Sequence, residues 1–519
     1  MTREAATCLG LVLDGVEGAP VTVEAHETFD AVPGALRICG LPDPAVKEGG
    51  LRLRIAMHPL IGDEVFKLVG GVLINLAPAD LKKIGRTLDL PMAMAYAALV
   101  LGLDRERVKR LLFLGEIGLD GEVRPVVGLL AAMLEAKRRG LGVVCPAANL
   151  DEALLIEGPD VYPVRRVEEA FDVARGAAPP CAAPRGPSAV ARAPARLPDL
   201  AEVHGQFLAR RALEIAAAGG HNLLFEGPPG SGKTMLARRL PGVLPPLSDE
   251  EALEAALVRA SVRPLDPSRF HAPAFRNPHH TASPVGLAGG GNPIRPGEVS
   301  LAHRGVLFLD ELPEFRREAL EVLREPMEER AVHVTRAGRA RALPAHVLVV
   351  AAMNPCPCGF AGLDDGRCRC TPFQVRRYVA RISGPLLDRF DLRVRLRPVP
   401  PAELLDATPS EASVAVRGRV TAARARQRAR GRGALNAELS DAELGAVAAL
   451  RPSDAAFYRR LLEAHRLSAR GAKRLLRTAR TAADLAGADE VGAVHLAEAA
   501  SYRLGAAAEE AVAASAPAG

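Results

Sequence analysis

The sequence predicts a multidomain α/β protein, and two features of the chain carry that prediction. A glycine-rich loop at 227–234 stands between an apolar run typical of a buried strand, 221–226, and a segment typical of a helix start, 235–240. Strand-like and helical runs alternate up to residue 397, whereas 398–519 shows helical periodicity without a strand pattern. At 519 residues the chain is long enough for about three domains.

The N-terminal third of the chain has its own mixture of both elements. We predict a strand over 69–76, helices over 90–101 and 129–139, and a strand over 142–145. The Ala/Pro-rich segment 176–197 has no apolar period, which is typical of a linker between domains.

The glycine-rich loop fits the pattern G-x-x-x-x-G-K-S/T at every fixed position. Between a strand and a helix, its glycines let backbone N–H groups surround a phosphate, and the helix N-terminus adds partial positive charge. We therefore predict bound ATP, with Lys233 at the β- and γ-phosphates and the Thr234 hydroxyl on Mg²⁺. The predicted phosphate loop consists of Gly227, Pro228, Pro229, Gly230, Ser231, Gly232, Lys233 and Thr234.

Two further strand-like runs end in polar residues that could complete this site. Val306 to Leu309 is followed by Asp310, predicted to bind Mg²⁺, and by Glu311, predicted to polarise the attacking water. The run 346–352 leads to Asn354, which could orient that water from the far side of the γ-phosphate. The alternative for Asn354 is a side chain that only caps a turn before proline.

Three arginines are further candidates for contact with the nucleotide. Arg389 stands at the end of an element, where it could act as a finger on a neighbouring subunit's nucleotide or form a local pair with an aspartate. Arg470 and Arg474 belong to the helical C-terminal part and could face the nucleotide, or could lie on a solvated basic helix face.

Four of the eight cysteines crowd into one short segment. Cys356, Cys358, Cys368 and Cys370 form two C-x-C pairs, and four thiolates in one loop suit tetrahedral Zn²⁺. The spacing within each pair is tighter than the usual C-x-x-C, so free thiols are the alternative to a structural zinc site.

Other polar segments are candidates for contact with a substrate. The Gly/Pro-rich segment 275–291 contains His279 and His280, and we predict a mobile substrate loop there rather than a metal site. A hairpin predicted over 332–343 and a basic run over 417–432 could contact phosphates or be solvated faces. The arginines concerned are Arg336, Arg339 and Arg341 in the hairpin, and Arg417, Arg419, Arg424, Arg426, Arg428, Arg430 and Arg432 in the run.

Composition and charge limit the class of protein further. The net charge of +6 permits a nucleic-acid partner without requiring one. The longest uncharged apolar run, 90–103, is too short to span a bilayer, and the first residues lack a secretory signal pattern. We therefore expect a cytoplasmic protein with no membrane partner.

Taken together, these motifs resemble the Mg-chelatase-like AAA+ ATPases of the YifB/ComM type. The resemblance covers about residues 5–505 and rests on GPPGSGKT, PHHTAS, PGEVSLAHRGVLFLDELPEF, AAMNPCPCG and SGPLLDRFD, in that order, and on the Arg-rich helical tail. Further upstream, GLPDPAVKE, INLAPADLKK, LDLPMA and LGEIGLDGEVRPVVGLL resemble the Lon-protease-like domain that precedes the ATPase in this family.

The resemblance implies a more detailed architecture. It implies an N-terminal Lon-protease-like α+β domain over 1–175, a linker over 176–197, a central AAA+ P-loop α/β domain over 198–397 and a C-terminal helical lid domain over 398–519. It also implies a homo-hexameric ring that binds ATP and Mg²⁺ at subunit interfaces. In such a ring Lys233 and Thr234 are the Walker A pair and Asp310 and Glu311 the Walker B pair.

The same resemblance implies roles and a function. Asn354 is similar to sensor 1, Arg389 to an arginine finger acting in trans, and Arg470 to sensor 2. The segment 275–291 and the hairpin match insertions that face the central pore in related DNA motors. Because the family includes a helicase that drives branch migration during natural transformation, the implied partners are single-stranded or branched DNA and recombination proteins.

The N-terminal part departs from Lon proteases at the catalytic positions. The segment 84–95 contains no serine, Leu130 stands where a lysine is expected, and Thr87 lacks a nearby base. We therefore predict a non-proteolytic binding or assembly module. The alternatives to a DNA motor are a magnesium-chelatase-type motor subunit, a protein-remodelling ATPase and an ATP-dependent protease, the last being opposed by the missing Ser–Lys pair.

Overall fold

The computed structural model describes residues 4–28, 35–62, 71–183, 186–187, 197–336, 339–363, 366–400, 410–430 and 435–504. Within these ranges the chain is a mixed α/β protein with two large sheets and a helical C-terminal part. None of the helices in these ranges is long and apolar enough to cross a membrane.

The N-terminal part is built on a mixed sheet. Its strands are β1 (Ala6–Asp14), β2 (Glu17–Thr28), β3 (Leu36–Cys39), β4 (Gly71–Ala77), β5 (Leu111–Phe113), β8 (Gly142–Pro146) and β9 (Val161–Val164), with a separate short pair β6 (Glu116–Ile117) and β7 (Val123–Arg124). They lie in the order β3-β4-β2-β1-β5-β8-β9. The strand predicted over 69–76 is thus present from residue 71, and 69–70 lie outside the described residues.

The helices of this part include both predicted ones. They are α1 (Pro44–Ile61), α2 (Asp89–Val100), α3 (Arg105–Lys109), α4 (Leu129–Arg139), α5 (Leu150–Ala153) and α6 (Val167–Arg175). Every residue of α2 is buried. A helix that is apolar on all sides must be covered on all sides, and α2 packs between α1 and the strands β1 and β2.

The central part contains a fully parallel sheet. Its strands are β10 (Leu223–Glu226), β11 (Phe275–Arg276), β14 (Val306–Leu309), β17 (Leu348–Met353) and β18 (Leu392–Arg395), in the order β11-β14-β17-β10-β18. Two antiparallel pairs stand outside this sheet, β12 (Gly289–Gly290) with β13 (Arg295–Pro296), and β15 (Ala331–Arg336) with β16 (Arg339–Pro344). The second pair is the predicted hairpin, whose turn at 337–338 lies outside the described residues.

Helices cover both faces of the parallel sheet. Leu223 and Phe225 belong to the apolar core on one face, and Leu224 belongs to the core on the other, as alternation along a strand requires. The helices are α7 (Phe207–Gly219), α8 (Lys233–Val243), α9 (Asp249–Ala260), α10 (Pro284–Ala288), α11 (Glu298–Leu301), α12 (Arg317–Glu321), α13 (Pro326–Glu329), α14 (Pro372–Val379) and α15 (Gly384–Leu387).

The C-terminal part is helical throughout its described residues. It consists of α16 (Ser413–Ala429), α17 (Asp441–Val447), α18 (Pro452–Ala464), α19 (Ala469–Leu485) and α20 (Ala493–Leu504). The helices α16 and α19 pack on α7, and His221 Nε2 lies 2.7 Å from Thr481 Oγ1 at that boundary.

Arginines of the basic run predicted over 417–432 contact α7 of the central part. Arg424 donates two hydrogen bonds to the carbonyl oxygen of Ala217, at 2.9 and 2.7 Å, and Arg419 pairs with Glu214 and Glu411. Arg430 pairs with Asp484. Arg419, Arg424 and Arg430 therefore form contacts within the protein, while Arg432 lies outside the described residues.

Candidate nucleotide-binding site

The predicted phosphate loop lies at the carboxyl edge of the parallel sheet. It leaves the last residue of β10 and ends in the first turn of α8. Gly230 and Gly232 have φ values of 77° and 91°, which glycine adopts without steric cost. The sequence between strand and helix thus folds into the turn that a phosphate-binding loop requires.

Lys233 is folded back onto this loop. Its Nζ donates to the carbonyl oxygens of Gly227 and Pro228, at 2.6 and 2.9 Å, and to Asn354 Oδ1 at 3.1 Å. Burial lowers the pKa of Lys233, and the charges of Asp310 and Glu311 oppose that effect. Asn354 follows β17, which pairs directly with β10, so the fold brings these two predicted site residues into contact.

The two residues predicted to hold Mg²⁺ are also in contact. Thr234 Oγ1 donates to Asp310 Oδ2 at 2.7 Å, because β14 ends at the same edge of the sheet as β10. A hydroxyl and a carboxylate so placed fit the coordination of Mg²⁺ by oxygen ligands in P-loop proteins.

Glu311 follows Asp310 in a left-handed conformation, with φ of 53°. Its backbone N–H donates to Asp310 Oδ1 at 3.0 Å, and its Oε2 lies 3.2 Å from His280 Nδ1. No local pattern in the sequence predicts this second contact. It arises because β11 and β14 are paired, with Phe275 opposite Val306, so that the two segments leave the sheet side by side. For the adjacent histidines the sequence favours a substrate loop over a metal site, and His279 Nδ1 lies 2.9 Å from Thr281 Oγ1.

Arg389 lies at the opposite end of the sheet, beside the amino ends of the strands. It precedes β18, whose first residue pairs with the first residue of β10, and a strand of four residues spans about 13 Å. Its guanidinium is buried, donates to the Pro385 carbonyl oxygen at 2.7 Å and pairs with Glu328 at 2.7 Å. The partner is therefore a glutamate rather than the aspartate considered from the sequence.

Arg470 and Arg474 lie on the same side as Arg389. Both line a cavity of about 400 Å³ that also contains Glu328, the ion-pair partner of Arg389. Arg474 lies 3.3 Å from Asp391 Oδ1 and also donates to the Asp388 carbonyl oxygen. The structure thus groups three predicted nucleotide-contacting arginines, but it places them away from the phosphate loop of their own chain.

The four cysteines predicted to bind zinc lie together. Their Sγ atoms are all within 4.8 Å of one another, and three of the separations are 3.3, 3.7 and 3.9 Å. Sulfurs around a tetrahedral Zn²⁺ with Zn–S of about 2.3 Å are about 3.8 Å apart, so the set fits such an ion. Backbone N–H groups of Phe360 and Arg369 lower the pKa of the Cys358 thiol to about 6.

The cysteine loop touches the phosphate loop. Gly359, between the first two and the last two cysteines, has φ of 87° and lies against Pro229. A Cβ atom at Gly359 would be 2.6 Å from Pro229 Cδ and 3.8 Å from Asn354 Cγ. The position of the phosphate loop therefore depends on the shape of the cysteine loop.

Comparison with known proteins identifies the family of the chain. Residues 199–404 match the family model "Magnesium chelatase, subunit ChlI", 410–503 match its C-terminal model, and 23–149 match the model "Subunit ChlI of Mg-chelatase". The chain is 42% identical to the uncharacterized protein YifB of Salmonella typhimurium over 499 residues, covering 94% of this chain and 95% of that protein. It is 40% identical to the competence protein ComM of Haemophilus influenzae over 495 residues, with 94% and 95% covered.

Similarity to Lon proteases is much more limited. It extends over 84 residues at 38% identity with a bovine mitochondrial Lon protease homolog, which is 15% of this chain and 9% of that protein. The parallel sheet, its phosphate loop and the paired Thr234 and Asp310 define a P-loop nucleotide-binding protein of the AAA+ class. Within that class, the chain belongs to the Mg-chelatase-like family of YifB and ComM.

The contact between the two loops can be tested with two glycine substitutions. In Gly359→Ala the new methyl group must displace Pro229, and we expect ATP affinity to fall about tenfold. Gly362→Ala is the matched control, because Gly362 also has a positive φ, 78°, but no atom lies within 4 Å of the added Cβ. The measurement is titration with a fluorescent ATP analogue. Equal ATP affinities for the two variants would show that the cysteine loop does not influence the phosphate loop.

Proposed function

We propose that this protein is an ATP-hydrolysing AAA+ motor that acts on DNA as a homo-hexamer. The observation that carries the proposal is the division of the predicted catalytic groups between two edges of one sheet. Lys233, Thr234 and Asp310 converge at one edge, whereas Arg389 lies at the other. In a ring, Arg389 of one subunit could lie beside the phosphate loop of the next subunit. The two groups of predicted catalytic residues would then form one site.

The contacts at the two ends of the parallel sheet support the catalytic roles in this proposal. Lys233 and the loop backbone bind the phosphates, and Thr234 and Asp310 hold Mg²⁺, which neutralises charge on the phosphates when bound. Glu311 accepts a proton from the attacking water, and Asn354 orients that water. Before this happens Glu311 must leave His280, whose ring nitrogen lies 3.2 Å away. Arg389 and Arg470 act on the nucleotide of the adjacent subunit.

DNA is the substrate that the available observations favour. The competence protein ComM, similar over nearly the whole chain, is named for a process of DNA uptake, and the hairpin β15–β16 carries arginines. Helicase or branch-migration activity in recombination or natural transformation is the specific form that we propose. A magnesium-chelatase-type motor is the second candidate because the family models bear that description. A remodeller of protein complexes would use the same residues.

The N-terminal part is proposed to be a Lon-like domain without protease activity. Thr87, the hydroxyl considered as a substitute nucleophile, donates to the carbonyl oxygen of Leu11 at 3.2 Å. Leu130, at the position where a lysine is expected, is fully buried. Both side chains therefore serve the packing of the domain, and a role in assembly or binding fits them better than peptide hydrolysis.

The proposed function is tested by ATP hydrolysis with and without DNA. We expect single-stranded DNA or a four-way junction to raise the rate of hydrolysis by the full chain, because DNA contact would free Glu311 from His280. Lys233→Ala should abolish both rates and excludes a contaminating ATPase. Robust hydrolysis that no DNA alters would contradict the DNA motor and favour the chelatase-type or remodelling alternative.

We also propose that the four clustered cysteines bind structural Zn²⁺. The purified protein should contain about one equivalent of zinc per chain, and Cys358→Ser should lower that content severalfold. Cys39→Ser is the matched control, because Cys39 is an exposed thiol in the N-terminal sheet. Elemental analysis provides the measurement, and folded protein with far less than one equivalent would show that the thiols are free.

A further inference from the structure

The N-terminal domain touches the AAA+ domain at two separate places. The first is apolar: α4 and α9 share one hydrophobic cluster, and the Gly128 N–H donates to the Ala260 carbonyl oxygen at 3.0 Å. The second is the tight turn between β1 and β2, residues 14–16, which lies against the hairpin β15–β16. Because the first contact anchors the domain, the second is held at a defined position.

The contact between the turn and the hairpin combines an ion pair with apolar packing. Asp14 Oδ2 accepts hydrogen bonds from Arg341 Nη2 at 2.5 Å and Nε at 3.2 Å. The side chain of Asp14 is 15% exposed and that of Arg341 39%, so the pair is partly shielded from water. Val16 packs against the cluster that contains Leu343, and a Cβ on Gly15 would be 3.5 Å from Leu343 Cδ2.

The same face of the hairpin also contacts the substrate loop predicted over 275–291. The strand β12 of that loop packs on β15, and Leu343 lies beside Gly289, where an added Cβ would be 3.0 Å from Leu343 Cδ1. The same loop carries His280, which contacts Glu311. Contacts therefore link the N-terminal turn to the hairpin and the hairpin to the substrate loop, and the chain of that loop leads to His280 beside Glu311.

We propose that the N-terminal domain is a clamp for the hairpin, with Asp14 as the positioning residue. Asp14 fixes Arg341 and thereby holds the hairpin against the substrate loop, so that DNA bound at the hairpin displaces His280 from Glu311. In this proposal Arg341 has a structural role, as the ion-pair partner of Asp14, and does not bind DNA. This inference rests on the proposed function, because it describes how DNA would be coupled to hydrolysis.

A charge-swap series in the full chain tests the clamp. The variants are Asp14→Arg, Arg341→Asp and the double variant that exchanges both charges. Glu122→Arg is the matched control, because it makes the same charge change on the same domain at an exposed pair within the N-terminal part. ATP hydrolysis is measured across a DNA titration, which separates the stimulated rate at saturating DNA from the DNA concentration that gives half of it.

The clamp predicts a loss of coupling without a loss of DNA binding. In Asp14→Arg the stimulation at saturating DNA should fall about fivefold, the basal rate should stay unchanged, and half-saturation should need no more DNA than before. The double variant should recover the stimulation, since the ion pair is rebuilt with reversed polarity. Full stimulation of Asp14→Arg, or no recovery in the double variant, would overturn the proposal.

Hydrogen exchange gives a readout that does not depend on the DNA function. Amides of 331–336 and 339–343 should exchange faster in Asp14→Arg than in Glu122→Arg, and the double variant should restore their protection. If DNA never stimulates the wild-type enzyme, the proposed function fails while faster exchange would still support the clamp. Unchanged exchange in Asp14→Arg would overturn the clamp whatever DNA does.

Discussion

The parallel order of five strands is the constraint on which the rest of this structure depends. It brings the phosphate loop, Asp310 and Asn354 to the carboxyl edge of the sheet, where Lys233 and Thr234 already contact them. The same order places Arg389 before the amino end of β18 and therefore at the other edge. One chain thus carries the two halves of the proposed catalytic site on opposite sides, as the proposed head-to-tail ring requires.

The surroundings of the phosphate loop connect it to the other parts of the chain. Gly359 joins it to the cysteine loop, and a side chain there has no room beside Pro229. On the other side, His280 links Glu311 to the segment that packs under the hairpin, and Asp14 links the hairpin to the N-terminal sheet. Loss of the proposed zinc from the cysteine loop, or contact of a substrate with the hairpin, would therefore affect the nucleotide site through residues in direct contact.

Local patterns could predict the phosphate loop, the strands and their terminal polar residues, because these depend on short-range chemistry. Contacts between distant segments could not be predicted in this way. Nothing near Glu311 in the sequence points to His280, and only the pairing of β11 with β14 brings them together. The arginines of α16 show the same limit: the pattern indicated either phosphate contact or a solvated face, and Arg424 instead donates to a carbonyl oxygen of α7. Buried partners of a charge depend on tertiary packing, which a charge run does not encode.

The proposed division of the site between subunits is tested most directly by mixing two variants that we expect to be inactive. Glu311→Gln keeps Arg389 but lacks the proposed catalytic carboxylate, and Arg389→Ala keeps the carboxylate but lacks the arginine. In randomly mixed rings about a quarter of the interfaces would combine an intact Glu311 with an intact Arg389, so ATP hydrolysis should return to about a quarter of the wild-type rate. A mixture of Glu311→Gln with Lys233→Ala supplies the control, since both lesions affect the same edge and should give no recovery. If the first mixture also stayed inactive, the two edges would not meet in a shared site and the account would be wrong.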